Sequence, residues 1–491
     1  MCPESVASSP APQPEASEPV ERSFEGEFGG RTLRYRSRVG FLPLQDNPVK
    51  EGELQAPVVR GQLFYMAYEA VQEPGAKPRP LCFVFNGGPG SSSVWLHLGL
   101  VGPQRVTVDE TGNCGGAPYG LEANPDSLLS HSDLVFIDPI GTGLSHMLPG
   151  QKAAEYHAFQ RDLDSLGQFI HRYLTRYGRW GSPKYLMGES YGSTRAAALA
   201  QHLQAKHDLH LNGVVLISTA LDFQLFRFDH ANDLPYLLFL PTYTATAWYH
   251  QALAPAQQAM PLADLLAEVE VFALGPYAQG LLQGDRLAPG DRASLTSALA
   301  KYTGLSPDYI ERSNLRIKDQ RFFKELLRTR GLTVGRLDSR FTGQDLDDAG
   351  EHPEDDPSYL QMVGAFRVGI ERLLHEELGW HSPRTEPYHV LAPLYESWRW
   401  PEHENRYVGV GAMLRQAMHS DPRLRVYIAS GVYDLATPHA AGDFSVAHLG
   451  LRPGLRDQVQ VSRYEAGHMM YLHGPSRRRM AEELRKFLED V

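Results

Sequence analysis

From residue 80 onward, short unbroken apolar runs alternate with stretches whose apolar residues recur at helical spacing. Four such runs lie at 81–85, 133–137, 185–187 and 213–218. A short, wholly apolar run is typical of a strand that is covered on both faces, and the stretches between the runs are typical of crossover helices. The alternation therefore predicts an α/β fold with a mostly parallel central sheet and helices on both of its faces.

The remaining parts of the chain carry other patterns. Residues 1–23 are rich in Pro, Ser, Ala and Glu, so we expect a disordered tail there. Alternating apolar and polar residues over 32–39 and 58–69 predict antiparallel strands. Helical and irregular stretches replace the strand–helix alternation over 224–395, which we interpret as an inserted, largely helical cap.

This interpretation divides the α/β core into two parts. The first part is predicted to span 24–223 and the second 396–491. Apolar runs resume in the second part at 425–430 and 458–462, and a helix is expected from about 476 to 489.

Composition excludes several functional classes. A net charge of -11 and a pI near 6.0 argue against nucleic acid as the main partner. The chain has no run of 18 apolar residues and no secretory pattern at its start, so we expect no membrane association and a cytoplasmic location. With three cysteines and no His-x-x-x-His or Cys-x-x-Cys pair, the sequence predicts neither a disulfide framework nor a metal site, and no cofactor. Cys82, inside an apolar run, is expected in the core.

The pentapeptide Gly-Glu-Ser-Tyr-Gly at 188–192 follows one of the predicted strands and precedes an alanine-rich helical stretch. A Gly-x-Ser-x-Gly sequence in this context predicts a sharp turn that exposes a serine hydroxyl at the edge of the sheet. Small neighbours are needed because the backbone of such a serine is strained. Ser190 is therefore the candidate nucleophile of an α/β-hydrolase fold.

An acid and then a histidine should follow the serine along the chain in this fold. Asp434 comes just after the run at 425–430, and His468 comes after the run at 458–462. We expect His468 to act as general base and Asp434 to orient it. His473 and His439 are the competing histidines.

The segment Asn-Gly-Gly-Pro-Gly-Ser-Ser-Ser at 86–93 ends the strand that precedes the serine turn. Glycines here allow the backbone to approach a substrate carbonyl closely. A backbone N–H from this segment and the N–H of Tyr191 could together bind a developing oxyanion.

At this point the chain resembles the serine carboxypeptidases. The resemblance rests on four segments in order: the glycine-rich segment at 86–92, Asp-Pro-Ile-Gly-Thr-Gly-Leu-Ser at 138–145, the pentapeptide at 188–192, and Ala-Gly-His-Met at 466–469. It covers roughly 60–222 and 400–490. Ser91 stands where many members have a cysteine, which suggests a bacterial-type member without the secretory disulfides.

The resemblance implies a function and a set of roles. It implies removal of residues one at a time from peptide C-termini, with peptides as the substrates. Gly88 and Tyr191 would supply the oxyanion-hole N–H groups. Asn86 and Glu189, beside Gly87, would bind the C-terminal carboxylate of the substrate.

Other functions stay open on the sequence. A proline-specific aminopeptidase also carries a Gly-Gly-Pro-Gly turn and a similar serine pentapeptide, and the acidic residues at 345–356 could bind a substrate amine. An esterase or acyltransferase on the same fold is a further possibility. A binding protein without catalysis is the alternative from another class.

Overall fold

The computed structural model describes residues 18–46, 49–50, 52–381 and 387–489. The predicted tail therefore lies mostly outside the described residues. Its last residues, from Val20, belong to the first strand of the sheet, so the sheet includes residues before the expected boundary at 24.

A ten-stranded sheet forms the centre of the molecule. Its strands are β1 Val20–Phe28, β2 Arg31–Asp46, β3 Val58–Ala70, β4 Leu81–Phe85, β5 Asp133–Ile137, β6 His146–Met147, β7 Lys184–Glu189, β8 Gly213–Ile217, β9 Arg425–Gly431 and β10 Val459–Tyr464.

The spatial order of the strands is β1-β2-β3-β5-β4-β7-β8-β9-β10, with β6 paired to β3. The six strands from β5 to β10 in this order are parallel, while β1, β2, β3 and β6 pair antiparallel. The mostly parallel sheet and the leading antiparallel strands are both as predicted. Parallel strands place their carboxyl ends at one edge, and the segments that carry the candidate site leave the sheet there.

The longer helices are α1 Phe159–Arg176, α2 Tyr191–His207, α3 Leu234–Tyr249, α4 Leu262–Phe272, α5 Pro289–Thr303, α6 Pro357–Arg372, α7 Gly411–Ser420, α8 His439–Ala447 and α9 Gly474–Glu489. Helices α1, α2 and α7 bury their apolar sides against one face of the sheet. Helices α6 and α9 pack on the other face, in the cluster that also contains Cys82. The sheet is thus covered on both faces, which explains why its central strands are apolar throughout.

No strand of the main sheet lies between 218 and 424 in the described part of the chain. Helices α3, α4 and α5 share an apolar core of their own, which also takes in Leu435 just beyond the end of β9. Helix α6 differs, because Met362, Phe366 and Ile370 belong to the core of the sheet. The boundaries of a single cap at 224 and 395 stay a prediction, but this helix is built into the core.

Short elements complete the chain. The short α-helices are Val94–Leu96, Pro255–Gln258, Ala278–Gln283, Pro307–Arg312, Asp319–Glu325 and Pro453–Arg456, with π-helical turns at His97–Val101, Ala273–Tyr277 and Leu373–Glu377. The 3-10 turns are Leu128–Ser130, Ala153–Glu155, Phe223–Phe226, Gly284–Arg286, Arg328–Arg330, Leu394–Glu396, Pro401–His403 and Met470–Leu472. Three two-stranded ribbons pair Val49–Lys50 with Glu53–Leu54, Gln104–Val106 with Leu121–Ala123, and Thr333–Val334 with Thr342–Gly343. Among the helices described, none combines the length and the apolar character needed to span a bilayer.

Candidate active site

Ser190 occupies the tight turn between β7 and α2. Its backbone has φ 60° and ψ -127°, a region that a residue with a side chain rarely adopts. A Cβ atom on Gly188 would lie 2.0 Å from the carbonyl oxygen of Gly192, and one on Gly192 would lie 2.9 Å from that of Asn86. Both glycines of the pentapeptide are therefore sterically required, and the strained serine turn is present as predicted.

Asp434 and His468 meet across the ends of β9 and β10. The imidazole Nδ1–H donates to Oδ2 of Asp434 at 2.8 Å, and both side chains are buried. Oδ1 of Asp434 accepts the backbone N–H groups of Ala436 and Thr437 at 2.8 and 2.9 Å. The carboxylate thus stabilises its own turn and also fixes the tautomer of the histidine.

The protonation of His468 reflects opposing effects. Burial disfavours the charged imidazolium, but the charge of Asp434 and its hydrogen bond outweigh burial and raise the pKa of His468 above its ordinary value. The nearby Glu189 carboxyl acts in the same direction. An imidazole in this environment is a stronger base than a free one.

The competing histidines lie elsewhere. His473 is hydrogen-bonded through Nδ1 to Ser476 Oγ at 2.8 Å. His439 is completely buried, with Thr242 Oγ1 3.3 Å from its Nδ1. Neither lines the cavity that contains Ser190.

A cavity of about 300 Å³ brings the predicted residues together at the carboxyl edge of the sheet. Its lining includes six of the eight predicted site residues, Asn86, Gly87, Gly88, Glu189, Ser190 and His468, but not Asp434 or Tyr191. A larger cavity of about 560 Å³ lies between β2 and α1, and none of the predicted site residues line it. Chemistry, rather than size, therefore identifies the smaller cavity as the candidate active site.

The glycine-rich segment contacts the serine turn backbone to backbone. A Cβ atom on Gly87 would lie 2.5 Å from the backbone nitrogen of Tyr191, so only glycine fits there. Tyr191 is the first residue of α2, where backbone N–H groups have no partner inside the helix. The Tyr191 N–H thus has no partner inside its helix, and Gly88 lines the same cavity as Ser190.

Asn86 and Glu189 form a buried polar pair in the same cavity. Asn86 Nδ2 donates to Glu189 Oε1 at 3.2 Å, while the Leu96 N–H donates to Asn86 Oδ1 at 3.1 Å. Burial raises the pKa of Glu189 to about 7, although the charge of His468 and hydrogen bonding with Tyr471 and Asn86 lower it in part. Glu189 Oε2 is buried and makes no hydrogen bond of full geometry, although the Tyr471 hydroxyl lies near the carboxyl group and lowers its pKa. A buried carboxyl oxygen without a full hydrogen bond in a cavity is suited to a ligand that shares a proton with it.

Residues of the region 224–395 that the sequence did not single out also line this cavity. Arg336, Leu337, Asp356 and Tyr359 line it on the side opposite the sheet. The backbone N–H of His468 also donates to the Leu337 carbonyl at 2.6 Å. No motif or period marks these residues, so only the folded chain reveals them.

The acidic stretch at 345–356 is largely occupied by internal contacts. Asp345 forms a buried ion pair with Lys324, and Asp356 accepts the backbone N–H groups of Arg336 and Ser358. Asp356 is the one residue of this stretch that lines the cavity. No cluster of three or more His, Cys, Asp or Glu suited to a metal ion occurs in the described ranges.

The segment that carries the serine turn also matches known proteins in sequence. A family model described as serine carboxypeptidase matches residues 52–233. Over this segment the chain is similar to the serine carboxypeptidase family. The match includes Asn86, Glu189 and Ser190 but ends before Asp434 and His468, so the case for those two residues rests on the geometry above.

Curated relatives match over similar segments. Serine carboxypeptidase-like 25 of Arabidopsis thaliana is 31% identical over 206 residues, which cover 40% of this chain and 41% of that protein. The pheromone-processing carboxypeptidase KEX1 of Yarrowia lipolytica is 27% identical over 162 residues, which cover 32% of this chain and 24% of that protein. The matched segments thus span less than half the length of these relatives.

The fold extends the similarity beyond the matched segment. The crystal structure of KEX1(delta)p, a prohormone-processing carboxypeptidase from Saccharomyces cerevisiae, superimposes with a TM-score of 0.58. The superposition covers 93% of this chain and 92% of that one at 15% identity. The α/β-hydrolase fold predicted from the strand–helix alternation is therefore confirmed.

Proposed function

We propose that this protein is a serine carboxypeptidase that releases C-terminal residues from peptides. The observation that carries the proposal is the hydrogen-bonded pair of Asn86 and Glu189, which lies in one cavity with Ser190 and His468. A protonated carboxyl and an amide can together donate hydrogen bonds to the terminal carboxylate of a peptide. Cleavage within a chain gives such a pair no carboxylate to bind.

In the proposed reaction, Ser190 Oγ attacks the scissile carbonyl while His468 Nε2 takes its proton. His468 then gives the proton to the leaving amine, which departs as the free C-terminal residue. Water attacks the acyl-enzyme with His468 again as base. Asp434, hydrogen-bonded to the other ring nitrogen, holds the tautomer and stabilises the imidazolium.

The N–H groups of Gly88 and Tyr191 are the proposed oxyanion donors. They belong to two backbone segments in direct contact, one before and one after the nucleophile. Each such donor is worth about 3 kcal/mol of transition-state stabilisation in other serine hydrolases.

The proposed carboxylate site uses the shared proton of Glu189. Two ionised carboxylates cannot lie at hydrogen-bond distance without a large repulsion, so one of them must be protonated. With a pKa of about 7, Glu189 is protonated in mildly acidic solution and can donate to a bound carboxylate. The second hydrogen of Asn86 Nδ2 completes the site.

The test is the direction of cleavage. Mass spectrometry follows three versions of one peptide: unmodified, N-acetylated and C-amidated. We expect stepwise loss from the C-terminus of the unmodified and N-acetylated versions, much slower loss from the amide, and no cleavage by Ser190→Ala. Loss from the N-terminus that acetylation blocks would identify an aminopeptidase. Turnover of esters alone would identify an esterase or acyltransferase, and no turnover of either would leave a binding protein.

A further inference from the structure

An ion pair shielded from solvent lies behind the glycine-rich segment. Arg195 on α2 donates from Nε to Oδ2 of Asp162 on α1 at 2.7 Å, and the two side chains are 1% and 2% exposed. Removing two charges from water is costly, and a well-packed apolar pair often stabilises a fold equally well. Stability alone therefore does not account for charges at this position.

The same two side chains reach both segments that carry the candidate oxyanion donors. Arg195 Nη1 donates to the backbone carbonyl of Asn86, the residue just before the glycine pair. The hydroxyl of Tyr191 donates to Oδ2 of Asp162 at 3.2 Å. The guanidinium carbon of Arg195 also lies 4.8 Å from the centre of the Tyr191 ring. One buried pair thus links the segment before the nucleophile to the residue after it.

These contacts affect the distance between the backbone N–H groups of Gly88 and Tyr191. The Gly88 N–H follows Asn86 by two residues, and the other donor is the backbone N–H of Tyr191 itself. An oxyanion is stabilised well only when its donors lie about 2.7–3.1 Å from it. A shift of either segment by a fraction of an ångström changes that geometry.

We propose that Arg195 and Asp162 are positioning residues that hold the Gly88 and Tyr191 N–H groups at the spacing an oxyanion requires. The inference rests on the proposed function in one respect, the use of Ser190 for acyl transfer. Neither side chain lines the cavity, so both act through the backbone. Arginine suits this position because its planar fork bonds the carboxylate from Nε and the carbonyl from Nη1, two donor atoms at a fixed separation that the single nitrogen of lysine does not provide.

The first test is the substitution Arg195→Lys, assayed with an activated ester. Oxyanion contacts strengthen in the transition state, so their loss lowers kcat rather than raising KM. We expect kcat to fall about 10- to 100-fold while KM changes less than about threefold.

A matched control variant is available at the opposite edge of the sheet. Arg79 donates from Nε to Asp133 at 2.9 Å and from Nη2 to the Leu129 carbonyl, the same two kinds of contact. Arg79→Lys should lower thermal stability, although less than Arg195→Lys because Asp133 keeps Arg179 as a partner, and it should leave kcat within about twofold of the wild type.

A second readout separates positioning from general loss of structure. A peptide aldehyde forms a tetrahedral adduct with Ser190 whose oxyanion occupies the proposed hole. Its affinity should fall in parallel with kcat in Arg195→Lys, while the affinity of a noncovalent product peptide stays unchanged. A purely structural role would weaken both ligands together.

If Arg195→Lys does not fold, two milder variants can be tested in its place. Tyr191→Phe removes only the hydroxyl contact to Asp162 and keeps the backbone N–H, and Asp162→Asn removes the charge. Each should lower kcat and aldehyde affinity together by about 3- to 30-fold.

These experiments distinguish failure of the positioning role from failure of the carboxypeptidase proposal. Unchanged kcat in these variants, or an equal loss in Arg79→Lys, overturns the positioning role. Because the ester assay depends on Ser190 but not on cleavage direction, an active esterase that removes no C-terminal residue contradicts the carboxypeptidase proposal alone. Ester turnover that persists in Ser190→Ala contradicts both.

Discussion

Glu189 is the residue whose protonation most affects the candidate site. It is buried beside the nucleophile, its pKa is raised to about 7, and one of its oxygens makes no hydrogen bond of full geometry in the described structure. Two predictions follow from this one group, one about binding and one about stability.

The binding prediction compares a peptide with a free C-terminus and the same peptide as its amide. As pH rises through about 7, Glu189 loses the proton that it shares with the substrate carboxylate. We expect KM for the free peptide to rise up to about tenfold per pH unit above this point, while KM for the amide stays flat. Both substrates should lose kcat/KM at low pH, where His468 is protonated. Glu189→Gln should flatten the alkaline limb for the free peptide; identical profiles for both substrates would contradict the carboxylate site.

The stability prediction uses the same shift. The folded-state pKa of about 7 lies above the ordinary value of 4.5, so folding is favoured by the protonated form and loses stability as pH rises from 4.5 through 7. Once Glu189 is ionised in both the folded and the unfolded protein, the loss in unfolding free energy reaches about 3 kcal/mol. Glu189→Gln should therefore unfold at a higher temperature than the wild type at pH 8.5 and at nearly the same temperature at pH 4.5. An equal difference at both pH values would contradict the shift.

Substitution of the three candidate catalytic residues gives the prediction for the reaction itself. We expect Ser190→Ala and His468→Ala to lower kcat by at least about 10⁴-fold while the protein stays folded. Asp434→Asn should lose as much or less, because the aspartate orients the base without taking its proton. Turnover and circular dichroism of the three variants, measured together, check this.

At the scale of elements, the loop that carries His468 depends on a segment from the region 224–395. The Leu337 carbonyl accepts the His468 backbone N–H, and Asp338 Oδ2 accepts that of Gly467 at 3.1 Å. Asp338 is also ion-paired with Arg340 at 2.6 Å. The orientation of the histidine is therefore fixed partly from outside the α/β core.

Removing this support should weaken both fold and activity. Asp338→Ala leaves the Arg340 guanidinium and the Gly467 N–H without their partner, and we expect a loss of about 2–4 kcal/mol in unfolding free energy and a lower kcat. Asp308→Ala breaks an exposed ion pair with Arg312 and should cost less than about 0.5 kcal/mol. Urea unfolding and ester turnover of the two variants provide the comparison; equal effects would argue against the supporting role.

The core elements could be predicted from the sequence because their patterns are local. The runs at 81–85 and 133–137 coincide with β4 and β5, and the serine turn needs the two glycines that the motif contains. Helix α6 could not be placed, because an amphipathic helix packs equally well on a cap or on a sheet. The Asp162–Arg195 pair was also missed, since charged residues on a helix usually face solvent and only tertiary contacts show otherwise.

At the scale of the whole molecule, the two parts of the sheet each supply half of the candidate site. Strands β4 and β7, in the part that matches the serine carboxypeptidases, carry Asn86 and Ser190. Strands β9 and β10, from the later part of the chain, carry Asp434 and His468. Their side-by-side placement across β8 explains how residues more than 200 positions apart form one site.

The assignment of Ser190 as a nucleophile beside a carboxylate site is tested most directly by fluorophosphonate labelling. The labelled residue is mapped by peptide mass spectrometry, and the labelling rate is measured in the presence of competing ligands. We expect an adduct on Ser190 that forms far more slowly in His468→Ala. An N-acetyl dipeptide with a free carboxylate should slow labelling at pH 6, whereas its amide should not. Labelling at another residue, or equal protection by the acid and the amide, would contradict the assignment of a serine nucleophile beside a carboxylate site.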